Sequence, residues 1–410
     1  MFPRVNDAKT AFIVNGEPWL MVGANFWQAM NLGAVDEANG NRAVLLQNLK
    51  DMQALGINHL RIMAASEGPD DQPARMIPSL MPSPGKYNTQ VFEGLDYALD
   101  VISKHNFTVT MQLNNFWSWS GGMAQYVNWA TGNKTQIPYP PQWPDFKGGD
   151  YATFTRYAAR FYNDPAIYDE CQRIWREHIK TVILRRNTVN GRIYRDDPTI
   201  FSWELANEPV QSADSPAKWI EDTANYIKSL DPNHMVTVGV ESKFDKNEFT
   251  QTHNHKNIDY ATSHCWVENW GIYNASDPSP ENLKRAEDFA LSFLANTSTW
   301  AKSIKKPIVL EEFGMARDAF SGPKASPSTP TTNKDHYYKT IFSKIVDLEK
   351  QGGYAGFAFW AYSGVARPNE TLWIGDPPHE LPGWYSVYNK DTTAEVIKEY
   401  AKKTSEVLKS

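Results

Sequence analysis

The sequence is poor in features that mark several classes of protein. Its 410 residues include only two cysteines, Cys171 and Cys265, too few for a disulfide framework or a zinc site. We expect two free, buried thiols, with a single disulfide as the alternative. No apolar run reaches the length needed to cross a membrane, and residues 1–10 contain no apolar signal core. We therefore expect no membrane association, and either an intracellular protein or a secreted one whose signal was removed.

Positive charge is also scarce. The net charge is −6 and the pI is near 5.9, which argues against nucleic acid as a partner, because phosphates select basic surfaces. The chain has no block of like charge and no low-complexity tail. His253 and His255 form a pair in a polar stretch, but no third ligand accompanies them. We expect them to face solvent, and we predict no metal site.

Aromatic residues, in contrast, are abundant: 15 Trp, 19 Tyr and 19 Phe, or 13% of the chain. Trp and Tyr combine a flat apolar face with a polar edge, which suits the CH faces and hydroxyl groups of sugars. A large aromatic core would explain the same composition, so this observation leaves both interpretations open.

Two apolar stretches end in carboxylates. Residues 200–209 (IFSWELANEP) begin as a buried strand and end with Asn207 and Glu208, where a proline stops the strand. Residues 307–314 (PIVLEEFG) end with Glu311 and Glu312. Since the carboxyl ends of parallel strands meet at one face of an α/β barrel, the pattern predicts a carboxylate pair across a shared cleft.

The whole chain fits one architecture. Eight predicted strands, mostly followed by helices, begin near residues 20, 59, 108, 200, 235, 259, 307 and 356. No glycine-rich phosphate-binding turn follows the first strand, which disfavours an open doubly wound sheet. We predict an α/β fold, a single (β/α)8 TIM barrel spanning residues 1–410 as one domain. A small hairpin over residues 12–19 precedes it, and long loops over 116–150 and 363–391 lie on its catalytic face.

The predicted strand ends carry many polar or aromatic side chains. These are Arg61, Asn114, Asn115, Asn207, Glu208, His264, Trp266, Glu312 and Trp360. A single buried ion pair would explain any one of them, but so many at one end would be costly to bury unless they bind something.

Two glutamates facing each other at a barrel mouth fit glycoside hydrolysis. One must be protonated to assist the leaving oxygen, and the other must be ionised. We expect burial to raise the pKa of Glu208 and a cation such as Arg61 to favour the charge of Glu312. A separation of ~5 Å would give a nucleophile and retention of configuration.

WELANEP and VLEEFG, with FIVNGEPWLMVGANF, LNNFWSWSGG, IDYATSHCW and FAFWAYSG, resemble the retaining glycoside hydrolases of family 5, in the β-mannanase and β-mannosidase branch. The resemblance covers nearly the whole chain and implies a barrel without a cofactor. It implies Glu208 as the acid/base and Glu312 as the nucleophile, with Glu311 pointing elsewhere.

The resemblance also suggests roles for residues around the two glutamates. Asn207 would bind the sugar 2-hydroxyl, Arg61 and His264 would orient the glutamates, and Trp360 would form the floor of the sugar site. Asn114, Asn115, Trp117 and Trp119 lie in the matching stretch after the third strand.

The sequence departs from that family pattern in three places. Trp266 replaces the usual tyrosine, so its contact with the nucleophile is lost or is replaced by an indole N–H. Trp119 stands where a small or acidic residue is expected. Residues 367–384 form an unfamiliar insert, in which Trp373, Asp376, His379 and Glu380 could reach over the cleft or decorate the surface.

A bulky Trp119 and the insert could wall off one end of the cleft. We therefore favour an exo-β-mannosidase that cleaves β-1,4-mannosidic bonds of manno-oligosaccharides, acting as a monomer. The alternative is an endo-β-1,4-mannanase acting on mannan or galactomannan. A β-glucanase and a non-catalytic sugar-binding barrel are weaker alternatives.

Overall fold

The computed structural model describes residues 1–142, 144, 147–214, 216–320, 329–368 and 373–409. A small antiparallel sheet comes first, formed by β1 (Arg4–Val5), β2 (Phe12–Val14) and β3 (Glu17–Trp19). The turn between β2 and β3 has left-handed backbone at Asn15 and Gly16, with φ of 53° and 88°. Asn-Gly is the favoured pair for such a turn, and the predicted hairpin is confirmed.

Eight parallel strands then form the central sheet. They are β4 (Met21–Asn25), β5 (His59–Met63), β6 (Thr108–Gln112), β7 (Ile200–Glu204), β8 (Met235–Thr237), β9 (Ala261–Cys265), β10 (Ile308–Phe313) and β11 (Gly356–Phe359). Their order around the sheet is β8-β7-β6-β5-β4-β11-β10-β9. Backbone hydrogen bonds from Asp259 to Val236 (2.8 Å) and from His264 to Glu241 (3.0 Å) bring β9 against β8. The predicted (β/α)8 barrel is confirmed.

Eleven α-helices accompany these strands in the described residues. They are α1 (Ala29–Leu32), α2 (Arg42–Ala54), α3 (Thr89–Lys104), α4 (Gly122–Ala130), α5 (Tyr151–Asn163), α6 (Tyr168–Ile183), α7 (Ala217–Leu230), α8 (Lys246–His253), α9 (Pro280–Ser303), α10 (Thr332–Lys350) and α11 (Thr392–Val407). Several begin at a side-chain cap: Asn41, Asn88, Asp150 and Ser279 each accept a backbone N–H of the first turn, which satisfies a donor that the helix leaves unpaired. Within the described residues, no helix is both long and apolar enough to cross a membrane.

The barrel interior is filled in layers. At the amino-terminal end, Phe12 of the hairpin packs against Phe201 and Tyr260, with ring centroids 4.9 and 5.4 Å apart. Above it lies a hydrogen-bonded layer in which His59 contacts Thr110. The next layer, at the carboxyl ends of the strands, is charged. The hairpin therefore closes one end of the barrel and leaves the other for the site.

Several predicted boundaries need correction. The stretch 116–150 is not a continuous loop, because it contains α4, and α5 was not predicted. The final stretch 363–391 contains two short paired strands, β12 (Tyr362–Gly364) and β13 (Val387–Tyr388). His253 does not face solvent: it ends α8 and is buried, and burial lowers its pKa to about 3. Cys171 and Cys265 are buried and free, as predicted.

Candidate active site

A pocket of about 480 Å³ opens at the carboxyl ends of the strands. Seven of the residues predicted from the sequence line it: Trp117, Trp119, Asn207, Glu208, Trp266, Glu312 and Trp360. The other four, Arg61, Asn114, Asn115 and His264, are buried beside or beneath it.

Glu208 lies just beyond β7 with left-handed backbone, at a φ of 51°. A non-glycine residue in this conformation is strained, and such strain is common at functional sites. Its carboxylate accepts hydrogen bonds from the Trp117 indole (2.5 Å) and from Nδ1 of His264 (2.9 Å). Burial raises the pKa of Glu208, but these bonds and the charges of His264 and Lys243 outweigh it, so the pKa lies below its usual value.

Glu312, near the end of β10, receives hydrogen bonds from Arg61 and from the Trp266 indole N–H, the latter at 3.1 Å. Of the two outcomes expected for Trp266, the second therefore holds: its indole N–H replaces the contact that a tyrosine would make with Glu312. Burial and the charge of Glu208 raise the pKa of Glu312, while His264 and Arg61 oppose them. We expected the pKa of Glu208 to be raised and the charged form of Glu312 to be favoured. In the free protein the pKa of Glu208 is lowered and that of Glu312 is raised, so the expectation is wrong. The reason is that more hydrogen-bond donors face Glu208 than the sequence suggested.

The two carboxylates face each other closely. One ligand atom from each of Glu208, His264 and Glu312 lies within 4.8 Å of the others, closer than the roughly 6.5–9.5 Å between the carboxyl groups of inverting glycosidases. The same three residues could hold a metal ion. Their side chains already form hydrogen bonds, however: His264 with Glu208, Trp117 with Glu208, and Arg61 and Trp266 with Glu312.

Glu311 does not point away from the site as predicted. The register of β10 against β9 shifts between Leu310 and Glu312, and a bulge of this kind turns consecutive side chains to the same side. Glu311 lies below the pocket, with its carboxylate 3.1 Å from Nε2 of His264 and 3.6 Å from Arg61. Burial lowers the pKa of His264, but the charge of Glu312 and hydrogen bonds to Glu208 and Glu311 raise it to about 10.

Arg61 is the hub of the layer below the pocket. It is 1% exposed, donates twice to Glu204 (2.6 and 2.9 Å) and once each to Asn25 and Asn207 (both 3.0 Å). Sequence analysis missed Glu204, whose pKa burial raises to about 8 against the pull of Arg61. Glu204 is the last residue of β7, so the rule that found the other strand-end residues could have found it.

Asn114 and Asn115 support the site rather than line it. Asn115 accepts a hydrogen bond from the Asn207 amide at 3.0 Å and donates to Ser120. Asn114 accepts from the backbone of Asn115. Together with Arg61, Asn115 fixes both ends of the Asn207 amide, whose side chain borders the pocket.

Trp119, His379 and Glu380, which we call the wall, line the pocket together. The Trp119 ring stacks on His379 with an interplanar angle of 4° and meets Trp360 edge-on. His379 and Glu380 belong to the 367–384 insert, of which residues 369–372 lie outside the described residues.

The insert is anchored at several points. The Trp373 indole donates to the backbone of Asn39 at 2.7 Å, and the Trp27 indole donates to Gly375 at 2.8 Å. Asp376 is buried and accepts from the backbone of Gly383 and Tyr385. Trp373 and Asp376 therefore hold the insert in place, whereas His379 and Glu380 face the cleft. A purely decorative loop is the wrong interpretation.

Gln211, Glu241, Lys243 and Trp270 also line the pocket, and none of them was selected from the sequence. Glu241 ends the stretch predicted as the fifth strand, so the rule that found the other strand-end residues could have found it. Lys243 and Trp270 lie on loops, where sequence periodicity does not predict which side chains face the pocket.

A parallel (β/α)8 barrel with two close, buried carboxylates at its carboxyl-terminal mouth defines a glycoside hydrolase of the retaining type. The chain belongs to glycoside hydrolase family 5: the family model "GH family 5 beta-mannosidase-like" matches residues 3–409.

Relatives and solved structures agree with this assignment. A family 5 mannosidase from Rhizomucor miehei is 50% identical, with a TM-score of 0.93 over 100% of this chain and 98% of its own. A mannan endo-1,4-β-mannosidase of Solanum lycopersicum is 31% identical over 87% of this chain and 79% of its own. An endo-β-1,4-mannanase from Thermotoga petrophila is 25% identical, with a TM-score of 0.68 over 96% and 78% of the two chains.

Proposed function

We propose that this protein is a retaining exo-β-mannosidase that releases mannose from the ends of manno-oligosaccharides. Glu312 is the nucleophile and Glu208 the acid/base. The observation that carries the exo assignment is the wall of Trp119, His379 and Glu380, which ends the pocket beside Trp360.

The two glutamates divide the reaction into two displacements. Glu312 attacks the anomeric carbon and forms a glycosyl ester, while Glu208 protonates the leaving oxygen. A water molecule then attacks the same carbon, Glu208 takes its proton, and Glu312 leaves as a carboxylate. Mannose is released with its configuration retained.

His264 supplies a route for the proton. Its raised pKa keeps the imidazole charged at neutral pH, and its Nδ1–H already points at Glu208 from 2.9 Å. Glu208 and His264 thus share a proton across this hydrogen bond, and Glu208 can deliver it to the leaving oxygen. Arg61 and Trp266 donate to Glu312 and stabilise the carboxylate that attacks.

The sugar that is cleaved lies between Glu312 and the Trp360 ring, with the Asn207 amide toward its 2-hydroxyl. Among the described residues, Nδ1 of His379 and Oε2 of Glu380 are buried without a hydrogen-bond partner. Hydroxyl groups of a terminal mannose would satisfy both, which supports recognition of a chain end.

The structure called a family 5 mannosidase shares half of its residues with this chain, which favours the exo assignment. The curated relatives at 28–31% identity are named endo-acting enzymes, which favours the alternative, an endo-β-1,4-mannanase.

Products from mannohexaose, quantified in the first minutes, distinguish the two. Mannose as the only early small product supports the exo assignment, whereas mannobiose and mannotriose at the start overturn it. Turnover of 4-nitrophenyl β-mannoside against the matching β-glucoside tests the sugar preference in parallel.

A further inference from the structure

We infer that Lys243, held in place by Glu241 and Gln211, is a specificity-determining residue that binds hydroxyl groups of a saccharide leaving group. This inference rests on the proposed function and names the group that occupies the other half of the pocket. It predicts a preference for sugar over simple alkyl leaving groups.

Lys243 is fixed by neighbours on the pocket rim. Its Nζ lies 2.6 Å from Oε2 of Glu241 and 2.9 Å from Oε1 of Gln211. The ring of Phe244 flanks it at 5.4 Å. An ammonium group carries three N–H donors, so these two contacts leave a third for a ligand. The Lys243 side chain is 21% exposed and lines the pocket.

The partners of Lys243 are themselves fixed. Gln211 donates to Glu241 at 3.0 Å and to the backbone oxygen of Glu208 at 3.2 Å, and the Trp270 indole donates to Glu241 at 3.3 Å. The Glu241 side chain is 5% exposed. A lysine normally loses much rotamer freedom on binding, and here the protein has already restricted it.

The position of Lys243 and Glu241 indicates which part of the substrate they meet. Gln211 donates hydrogen bonds both to Glu241 and to the backbone oxygen of Glu208, and Glu208 protonates the leaving oxygen. A separate set of contacts holds the wall, in which Trp119 meets Trp27, Trp360 and His379. A substrate whose end sugar reaches the wall must place its leaving group toward Lys243.

The backbone supports a functional role. Ser242, between Glu241 and Lys243, has a φ of 59°. Its hydroxyl donates to the Thr262 backbone at 2.8 Å, which holds this strained conformation. Glu208 is the other non-glycine residue of the pocket region with such backbone, and strain of this kind concentrates at ligand-binding positions.

The test compares Lys243→Met with wild type on two substrates with unactivated leaving groups, mannobiose and methyl β-mannoside, of which only the first leaves as a sugar. The variant keeps the apolar stem and loses the donors. We expect kcat/KM for mannobiose to fall about tenfold or more beyond any change for methyl β-mannoside, as for loss of a charged hydrogen bond, because an effect of the Lys243 charge on Glu208 acts on both substrates alike. Lys218→Met, which removes an exposed lysine of α7, is the matched control.

Each outcome is decisive. Equal losses on both substrates would mean that Lys243 acts through Glu208, and unchanged mannobiose kinetics would mean that it binds no leaving group; either overturns the inference. Glu241→Gln is the second variant, in case the first does not fold: by releasing Lys243 it should raise KM for mannobiose by a larger factor than KM for methyl β-mannoside. A wild-type protein that cleaves no β-mannoside, including the 4-nitrophenyl one, refutes the proposed function instead.

Discussion

Replacing Trp117 with phenylalanine should shift the pH dependence of activity toward higher pH. The Trp117 indole gives Glu208 one of its two side-chain hydrogen bonds, at 2.5 Å, and its ring stacks on Phe154 with an interplanar angle of 13°. Phenylalanine keeps the stacking and removes the N–H. The ionised form of Glu208 then loses a donor, while the burial that disfavours its charge remains.

The size of the shift follows from the bond removed. A hydrogen bond to a charged group contributes about 1.5–3 kcal/mol, and 1.36 kcal/mol corresponds to one pKa unit. We therefore expect the pKa of Glu208 to rise by about 1–2 units. Since loss of the proton that Glu208 and His264 share sets the alkaline limb of kcat/KM in this mechanism, that limb should move to higher pH by up to a similar amount.

The assay is the pH profile of kcat/KM for methyl β-mannoside, whose poor leaving group requires the acid. Trp384→Phe is the matched control, because that indole lines the same pocket but donates to Glu268, at 2.8 Å. An alkaline limb that stays in place in Trp117→Phe, or moves to lower pH, would refute the reasoning. An equal shift in the control would show that any indole loss in the pocket has this effect.

Three further predictions test the site and the scaffold. Glu208→Gln and Glu312→Gln should each abolish turnover of mannobiose yet leave its binding measurable by calorimetry; activity surviving either change would make that assignment wrong. Trp119→Ala should add mannobiose to the early products from mannohexaose, and should lower the free energy of unfolding by about 3 kcal/mol or more; unchanged products would remove Trp119 from the wall. Burial raises the pKa of Glu349 from 4.5 to about 8. As pH rises, this carboxyl therefore ionises at a lower pH in the unfolded chain than in the folded protein. Glu349 should therefore contribute a fall in stability of up to about 5 kcal/mol between these values. Urea unfolding at pH 4.5 and 8.5 should show a fall smaller by that amount in Glu349→Gln than in wild type; an equal fall in the variant would contradict the reasoning.

The barrel was predictable because its signals are local. Buried parallel strands appear as apolar runs, and their ends carry the polar residues, so the amino-acid sequence alone was enough to select Glu208, His264 and Glu312. The missed α5 follows a stretch rich in proline and glycine, which made the whole region look irregular.

The arrangement within the site was harder to predict, because it depends on small departures from regular geometry. A register shift in β10 brings Glu311 under the pocket. No residue type in this stretch of the sequence predicts such a shift. The order of the two pKa values failed for a related reason. It depends on which carboxylate His264 and Trp117 face, which is decided by side-chain direction rather than by sequence spacing.

The division between scaffold and loops explains how one barrel can serve both exo- and endo-acting enzymes. Arg61, Glu204, Glu311 and His264 form a buried charged layer, in which removing one partner would leave another charge unpaired at high cost. The wall and Lys243 lie outside that layer, on loops that tolerate change. Altering Trp119 should therefore change where the substrate is cut while the two-carboxylate chemistry persists, and altering Glu204 should do the reverse, lowering the rate on every β-mannoside without changing the product series.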